Sequence, residues 1–366
     1  MLIRRLPAAI AGALLLSLAP GAATATAAPP VRHVFVIVLE NKDAAETFGP
    51  FSPAPYLART LTAAGAFVPG YYGIGHNSLA NYVAMVSGQA PTAATQADCP
   101  TFTDVLPGTP ARDGQVLGQG CVYPRSVQTI AGQLRARGLS WKGYLEDMGA
   151  DSVRDNGTAC AHPAIGAPDL TQQATATDQY ATRHNPFVYF HSIIDDRASC
   201  AARDVPLDRL PGDLATASST PNLSFIVPDL CHDAHDATCP DGGPGGLPAA
   251  DAFLREWVPL ITASPAFRRD GLLIVTFDEA EDDSRACCGE VPGPNTAAPG
   301  AQSGGPGGGR VGAVLISRFI RPGTTSGQEY NHYSLLRSVE DLFGLTHLGY
   351  AAAPGLRPFG SDIYTR

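Results

Sequence analysis

The chain has 366 residues, with 25 Lys and Arg set against 34 Asp and Glu, for a formal net charge of −9. No basic stripe breaks that acidic balance, which argues against a nucleic-acid partner and against electrostatic docking on an anionic membrane. The eight cysteines, an even number, read as disulfides of an exported chain.

The first 28 residues have the layout of a secretory signal peptide. Arg4 and Arg5 give a positive start, an apolar run covers 8–19, and small residues from Ala23 to Ala28 precede Pro29 and Pro30. The apolar run falls short of the roughly 20 residues a bilayer span needs. No later segment is long and apolar enough to span, so no stable membrane insertion is expected. Residues 29–366 then form one elaborated domain.

In chain order, strands are predicted at 34–39 (VFVIVL), 139–144 (LSWKGY), 223–227 (LSFIV), 272–277 (LLIVTF) and 311–316 (VGAVLI). All but the second are continuous apolar runs, the pattern of parallel strands covered on both faces. Helices are predicted between them, at 52–64, 79–86, 127–137, 249–264 and 333–342. This alternation gives an α/β fold with a mostly parallel central sheet and helices on both faces. Residues 99–125 and 150–220, rich in Cys, Pro, Gly and polar residues, read as surface excursions held by disulfides. Local spacing suggests Cys99–Cys121 and Cys160–Cys200, with the other four pairing among themselves. A metal site at Cys231 and Cys239 competes, but it lacks a CxxC spacing. The Gly/Pro-rich segment 284–310 is expected to be a flexible linker, with a lid over the site as the other reading.

Open α/β sheets bind ligands at the carboxyl ends of their strands. Glu40 and Asn41 follow the first strand. Asp229, Cys231, His232, Asp233, His235 and Asp236 follow the third. Asp278 and Glu279 follow the fourth, then Glu281, Asp282 and Asp283. One acid after a strand is usually a turn residue, but three clusters at one edge exceed what turns require. Glu40, Asn41, Asp278 and Glu279 suit a hard or borderline divalent cation, which relieves their mutual repulsion. Glu281, Asp282 and Asp283 read as a solvated rim.

Ser78 lies in Gly73-Ile74-Gly75-His76-Asn77-Ser78-Leu79-Ala80-Asn81-Tyr82, just ahead of a helix. It is either an ordinary N-cap or a nucleophile whose hydroxyl is activated by a cation, and local sequence leaves both open. His332 and His235 are candidates to contact a phosphoryl oxygen, bind a second cation or protonate a leaving group.

The blocks HVFVIVLENKDAAETFG, GHNSLANYVAMVSG, VPDLCHDAHD, LLIVTFDEAEDD and ISRFIRPGTTSGQEYNHYSLLRSVEDLFGLTHLG occur in this order between His33 and Gly349. Together they resemble the bacterial phosphoesterase family of secreted acid phosphatases and phospholipases C, within the alkaline phosphatase superfamily. The likeness is strongest to short secreted acid phosphatases, among them phosphatidylinositol 3-phosphatases.

The resemblance implies a metal held by Glu40, Asn41, Ser78, Asp278 and Glu279, with Ser78 as nucleophile. It implies phosphate or metal contacts at Asp233, His235, Asp236 and His332. His76 and Asn81 are the remaining phosphate-binding candidates. Many relatives have Pro where Asn77 or Ala80 stands and Gly where Ala280 stands, which touches substrate preference and access.

The function expected is that of a secreted, metal-dependent phosphomonoesterase acting on small-molecule or lipid phosphate esters through a phosphoserine. The alternatives are a phosphodiesterase of phospholipase C type and a non-catalytic exported binding protein. A metal-free serine hydrolase is disfavoured because Ser78 is not in a G-x-S-x-G elbow.

Overall fold

The computed structural model describes Leu2, residues 29–300 and residues 305–366, so the expected signal peptide lies outside the described residues, apart from Leu2. Eight strands form the central sheet: β1 (His33–Leu39), β2 (Ala66–Val68), β3 (Trp141–Leu145), β4 (Asp204–Pro206), β5 (Leu223–Val227), β6 (Gly271–Phe277), β7 (Ala313–Ser317) and β8 (Thr324–Thr325). Their order is β8-β2-β7-β6-β1-β5-β3-β4.

β1 lies near the middle and pairs in parallel with β5 (Val34 opposite Leu223) and with β6 (Leu39 opposite Phe277). All seven residues of β1 are buried, which is why the run is apolar throughout rather than alternating. Truncating one of them, for example Ile37→Ala, would cost about 2–5 kcal/mol.

The expectation of parallel pairing fails at β7. That strand is antiparallel to both β6 and β2. A continuous apolar run reports burial on both faces, and burial carries no information about direction. β2, β4 and β8 were not foreseen, being too short to show a period.

The α-helices of six residues or more among the described residues are α1 (Ser78–Ser87), α2 (Ile130–Ala136), α3 (Gly246–Ala263), α4 (Pro265–Asp270) and α5 (His332–Phe343), with a wide-turn helix at Tyr56–Leu61. They form two packed groups, α1 with α2 and α5, and α3 with α4 and the 56–61 helix. Local chemistry sets their ends. Thr129 caps α2 by accepting from Gly132 N at 3.1 Å, and Asn331 caps α5 by accepting from Ser334 N at 2.9 Å. Gly88 and Gly344, both left-handed, close α1 and α5. Among the described residues no helix is long and apolar enough to cross a membrane.

Disulfides join Cys99 to Cys121, Cys160 to Cys200, Cys231 to Cys239 and Cys287 to Cys288. The two long-range pairs are those expected, and Cys231 and Cys239 are a disulfide rather than metal ligands. The excursion over 150–220 is not wholly superficial, since residues 178–190 are buried throughout.

Candidate active site

β1, β5 and β6 lie side by side, so the residues that leave their carboxyl ends converge. Asp278 N donates to Leu39 O at 2.8 Å, and Glu40 N donates to Asp233 O at 2.7 Å. Asn41 takes a left-handed conformation, with φ 51°, and its N–H donates to Asp278 Oδ1 at 3.1 Å. The turn after β1 thus folds back on the turn after β6.

The glycine-rich loop brings in Ser78. Gly73 admits no side chain, because a Cβ there would lie 2.6 Å from Asp278 O. Gly308 and Gly309, in the segment expected as a linker, pack on this loop. Gly73 N donates to Gly309 O at 2.9 Å, and Ala280 N donates to Gly308 O at 2.8 Å. Gly309 has φ 77°, and a Cβ there would meet Asp283 O. These contacts need bare backbone, so the Gly-rich composition reflects close packing rather than flexibility.

Ser78 does not cap α1. Asp98 does so from outside the helix, its Oδ1 accepting Leu79 N at 3.0 Å. The Ser78 hydroxyl is buried and instead donates to Glu40 Oε2 at 2.8 Å. Of the two readings open at the sequence level, the cap is therefore excluded.

Around Ser78 the acids are crowded and buried. Glu40 Oε1, Asp233 Oδ2, Asp278 Oδ2 and Glu279 Oε2 are buried without a hydrogen-bond partner. Burial first, then the charges of Asp278, Asp233 and Glu279, holds the Glu40 carboxyl well above the usual range. Burial likewise raises Asp233, Asp278 and Glu279. Orphaned carboxylate oxygens facing one another are costly unless a cation satisfies them. The donor set fits a divalent cation, with carboxylates from Glu40, Asp278 and Glu279, the Asn41 amide and the Ser78 hydroxyl.

His184 joins this group and was not foreseen. Its Nε2 lies 3.3 Å from Glu40 Oε1 and its Nδ1 lies 3.5 Å from Asp233 Oδ2. Burial holds its pKa well below the usual value. It stacks on Tyr82 at 5.3 Å.

A cavity of about 360 Å³ opens over the serine, lined by Asn41, His76, Asn77, Ser78, Asp98, Gln172, Gln173, Arg183, His235, Glu279 and Glu281. Glu281, expected only as a rim acid, lines it and pairs with Lys42 at 2.7 Å. His235 is held by Asp236, whose Oδ1 lies 2.9 Å from Nδ1, and this bond raises the His235 pKa.

Four expected contacts do not line the cavity; Asp233 is one, its carboxyl buried in the acid cluster beneath with Oδ2 3.5 Å from His184 Nδ1. Asn81 spends its whole amide on the loop, accepting from Ile74 N at 2.7 Å and Gly75 N at 2.9 Å and donating to Gly75 O and Asn77 O at 3.0 Å each. It shapes the loop and leaves no atom for phosphate. His332 is buried, and burial pushes its pKa down to about 4. Its Nε2–H donates to Asp278 O at 2.5 Å, and its Nδ1 accepts from the Tyr71 hydroxyl at 3.1 Å. Both nitrogens are spent, so it positions the turn after β6 rather than serving a leaving group. Asp236 orients His235 without lining the cavity.

Arg183, His184 and Asp98 are the residues that sequence reasoning missed. Arg183 and His184 lie in the 150–220 excursion and Asp98 just before the 99–125 one, where no periodic element marked them.

The phosphoesterase family model matches residues 54–346. The chain belongs to the Phosphoesterase family. It is a hydrolase acting on phosphoric ester bonds. It is 25% identical to a phosphatidylinositol-3-phosphatase of Mycobacterium tuberculosis over 92% of this chain and 86% of that protein. It is 28% identical to a phosphate-repressible acid phosphatase of Penicillium chrysogenum over 90% of this chain, although only 65% of that longer protein is matched. A Bacteroides thetaiotaomicron structure from work on glycosaminoglycan metabolism superposes with a TM-score of 0.50 at 11% identity, covering 92% of this chain and 82% of that one. That likeness shows the fold alone. A Vibrio parahaemolyticus protein in the alkaline phosphatase superfamily superposes at TM-score 0.46 and 13% identity, over 86% and 67% of the two chains.

Proposed function

We propose that this phosphoesterase is a secreted, metal-dependent phosphomonoesterase of the acid phosphatase type that works through a phosphoserine. The observation that carries the reading is the hydrogen bond from Ser78 Oγ to Glu40 Oε2 at 2.8 Å, inside a cluster of orphaned carboxylates. A serine used as a cap would not be aimed there.

In this reading Ser78 Oγ attacks phosphorus in line, forming the Ser–O–P bond as the ester P–O bond breaks. The serine proton leaves along the bond to Glu40. His235, which lines the cavity and has a raised pKa, hands a proton to the departing alkoxide. Water then cleaves the phosphoserine, releasing inorganic phosphate and restoring the hydroxyl. A cation held by Glu40, Asn41, Asp278 and Glu279 would neutralise phosphoryl charge and lower the serine pKa. Catalysis comes mainly from positioning and charge stabilisation.

Export is supported by the four disulfides. The small cavity, lined by polar side chains throughout, favours a monoester over a diester. The deciding assay compares p-nitrophenyl phosphate with bis-p-nitrophenyl phosphate, before and after EDTA and with metals returned singly. Monoesterase activity lost to EDTA and restored by one cation is expected. Activity untouched by thorough chelation would overturn the metal, and preference for the diester would overturn the substrate class.

A further inference from the structure

Arg183 is nine-tenths buried, and it is the one Lys or Arg among the residues lining the serine cavity. Its surroundings contrast with those of the partly buried Arg154, which is matched by two carboxylates, Asp155 at 3.0 Å and Asp178 at 2.5 Å. The hydrogen bonds of Arg183 are with carbonyls, Nη1 donating to Gln172 O at 3.2 Å and to Thr171 O at 3.5 Å. Among the described residues it forms no ion pair. A buried guanidinium with only carbonyl partners on one edge is costly, and the free edge of its fork matches the geometry of two phosphoryl oxygens.

Its backbone is fixed. Arg183 lies in the turn Thr182–His184, next to the histidine that touches Glu40 and Asp233. Asn185 anchors the end of that turn by donating to Asp204 Oδ2 at 2.7 Å and to the Tyr180 hydroxyl at 3.1 Å. Thr182 N is tied to Thr171 Oγ1 at 2.7 Å. Asp233 and Glu279 feel its charge but lie beyond ion-pair distance, so no carboxylate among the described residues grips this rigidly held cation.

We infer that Arg183 is a catalytic residue that grips the non-bridging oxygens of the phosphoryl group during transfer to and from Ser78, and that it holds the phosphate product. The inference rests on the serine-centred reading above, but its test separates the two.

The test is calorimetric titration of inorganic phosphate into the full chain loaded with its activating cation, run beside p-nitrophenyl phosphate kinetics and thermal melts. Arg183→Ala is expected to weaken phosphate binding by about tenfold or more and to lower kcat/KM by about a hundredfold or more. Arg183→Lys should fall between, since a point charge keeps attraction but loses the fork. Added guanidinium should partly restore the Ala variant and leave the wild type unchanged. A folded Arg183→Ala that binds phosphate within about twofold of wild type would overturn the inference. If the Ala variant does not fold, Arg183→Lys and Arg183→Gln read the same affinity. Ser78→Ala tests the nucleophile separately. If it retains activity while Arg183→Ala loses phosphate affinity, the nucleophile is wrong and the clamp stands. If it is inactive while the Arg183 variants bind phosphate normally, the clamp alone is wrong.

Discussion

Asp98 accepts the backbone N–H of Leu79 at 3.0 Å, which releases the Ser78 hydroxyl from capping and leaves it to Glu40. Asp98 has φ 54°, a conformation that Asn tolerates and Ala does not. Asp98→Asn should therefore keep the cap and stability close to wild type. Asp98→Ala should lose about 1–2 kcal/mol in urea unfolding. Equal stability of the two variants would show that the cap is not the source.

Ser78→Ala should lower kcat by on the order of 10³ or more, with far-ultraviolet circular dichroism unchanged, since Ala suits the first turn of α1. Acid-quenched wild-type enzyme should carry a phosphoryl adduct by mass spectrometry, and the variant should not. A variant of near-normal rate would remove Ser78 as nucleophile.

The orphaned oxygens of Glu40, Asp278 and Glu279 predict a link between metal and stability. Chelation should lower Tm, and returning the activating cation should raise it by an amount that grows with concentration. In Asp278→Asn the metal-dependent rise should be lost or much reduced, because a carboxylate donor is gone. A melting curve indifferent to metal in both proteins would count against the site.

Asn81 makes four hydrogen bonds to the loop that carries Ser78 and contacts no substrate in this reading. Asn81→Ala should cut kcat by more than it changes KM and also lower Tm, since two buried N–H groups lose their acceptor. Steady-state kinetics and melting together check this. A rise in KM alone would point instead to direct phosphate contact.

Asp204 gives a pH signature away from the catalytic cluster. Burial pushes its carboxyl up to about 7, so the folded chain keeps a proton that the unfolded chain releases near the ordinary value of 3.8. Its contribution to stability is full below that value, falls as pH rises, and is lost above about 7. Asp204→Asn removes the titration, so the variant should gain about 1–3 kcal/mol relative to wild type between pH 5 and pH 8 in denaturant unfolding. Parallel pH profiles would refute this.

The residues of β1, β5 and β6 by themselves determined the strands, because burial on both faces requires apolar runs long enough to see. Strand ends determined the acids as well. Glu40, Asp278 and Glu279 follow their strands directly, so parallel pairing alone brings them together. Only tertiary structure decided which way β7 runs, since an apolar run has no polarity. It also decided the roles of single polar side chains. Ser78 and Asn81 look alike as helix-start residues, yet one hydroxyl is freed by Asp98, twenty residues away, while the other side chain is consumed by four backbone bonds. His332 and His184 reversed their apparent importance for the same reason. A histidine's role depends on which partners its two nitrogens meet, and those partners come from strands and loops far away in the chain. Arg183 was illegible because nothing in its local sequence says that it is buried beside the serine cavity without an ion pair.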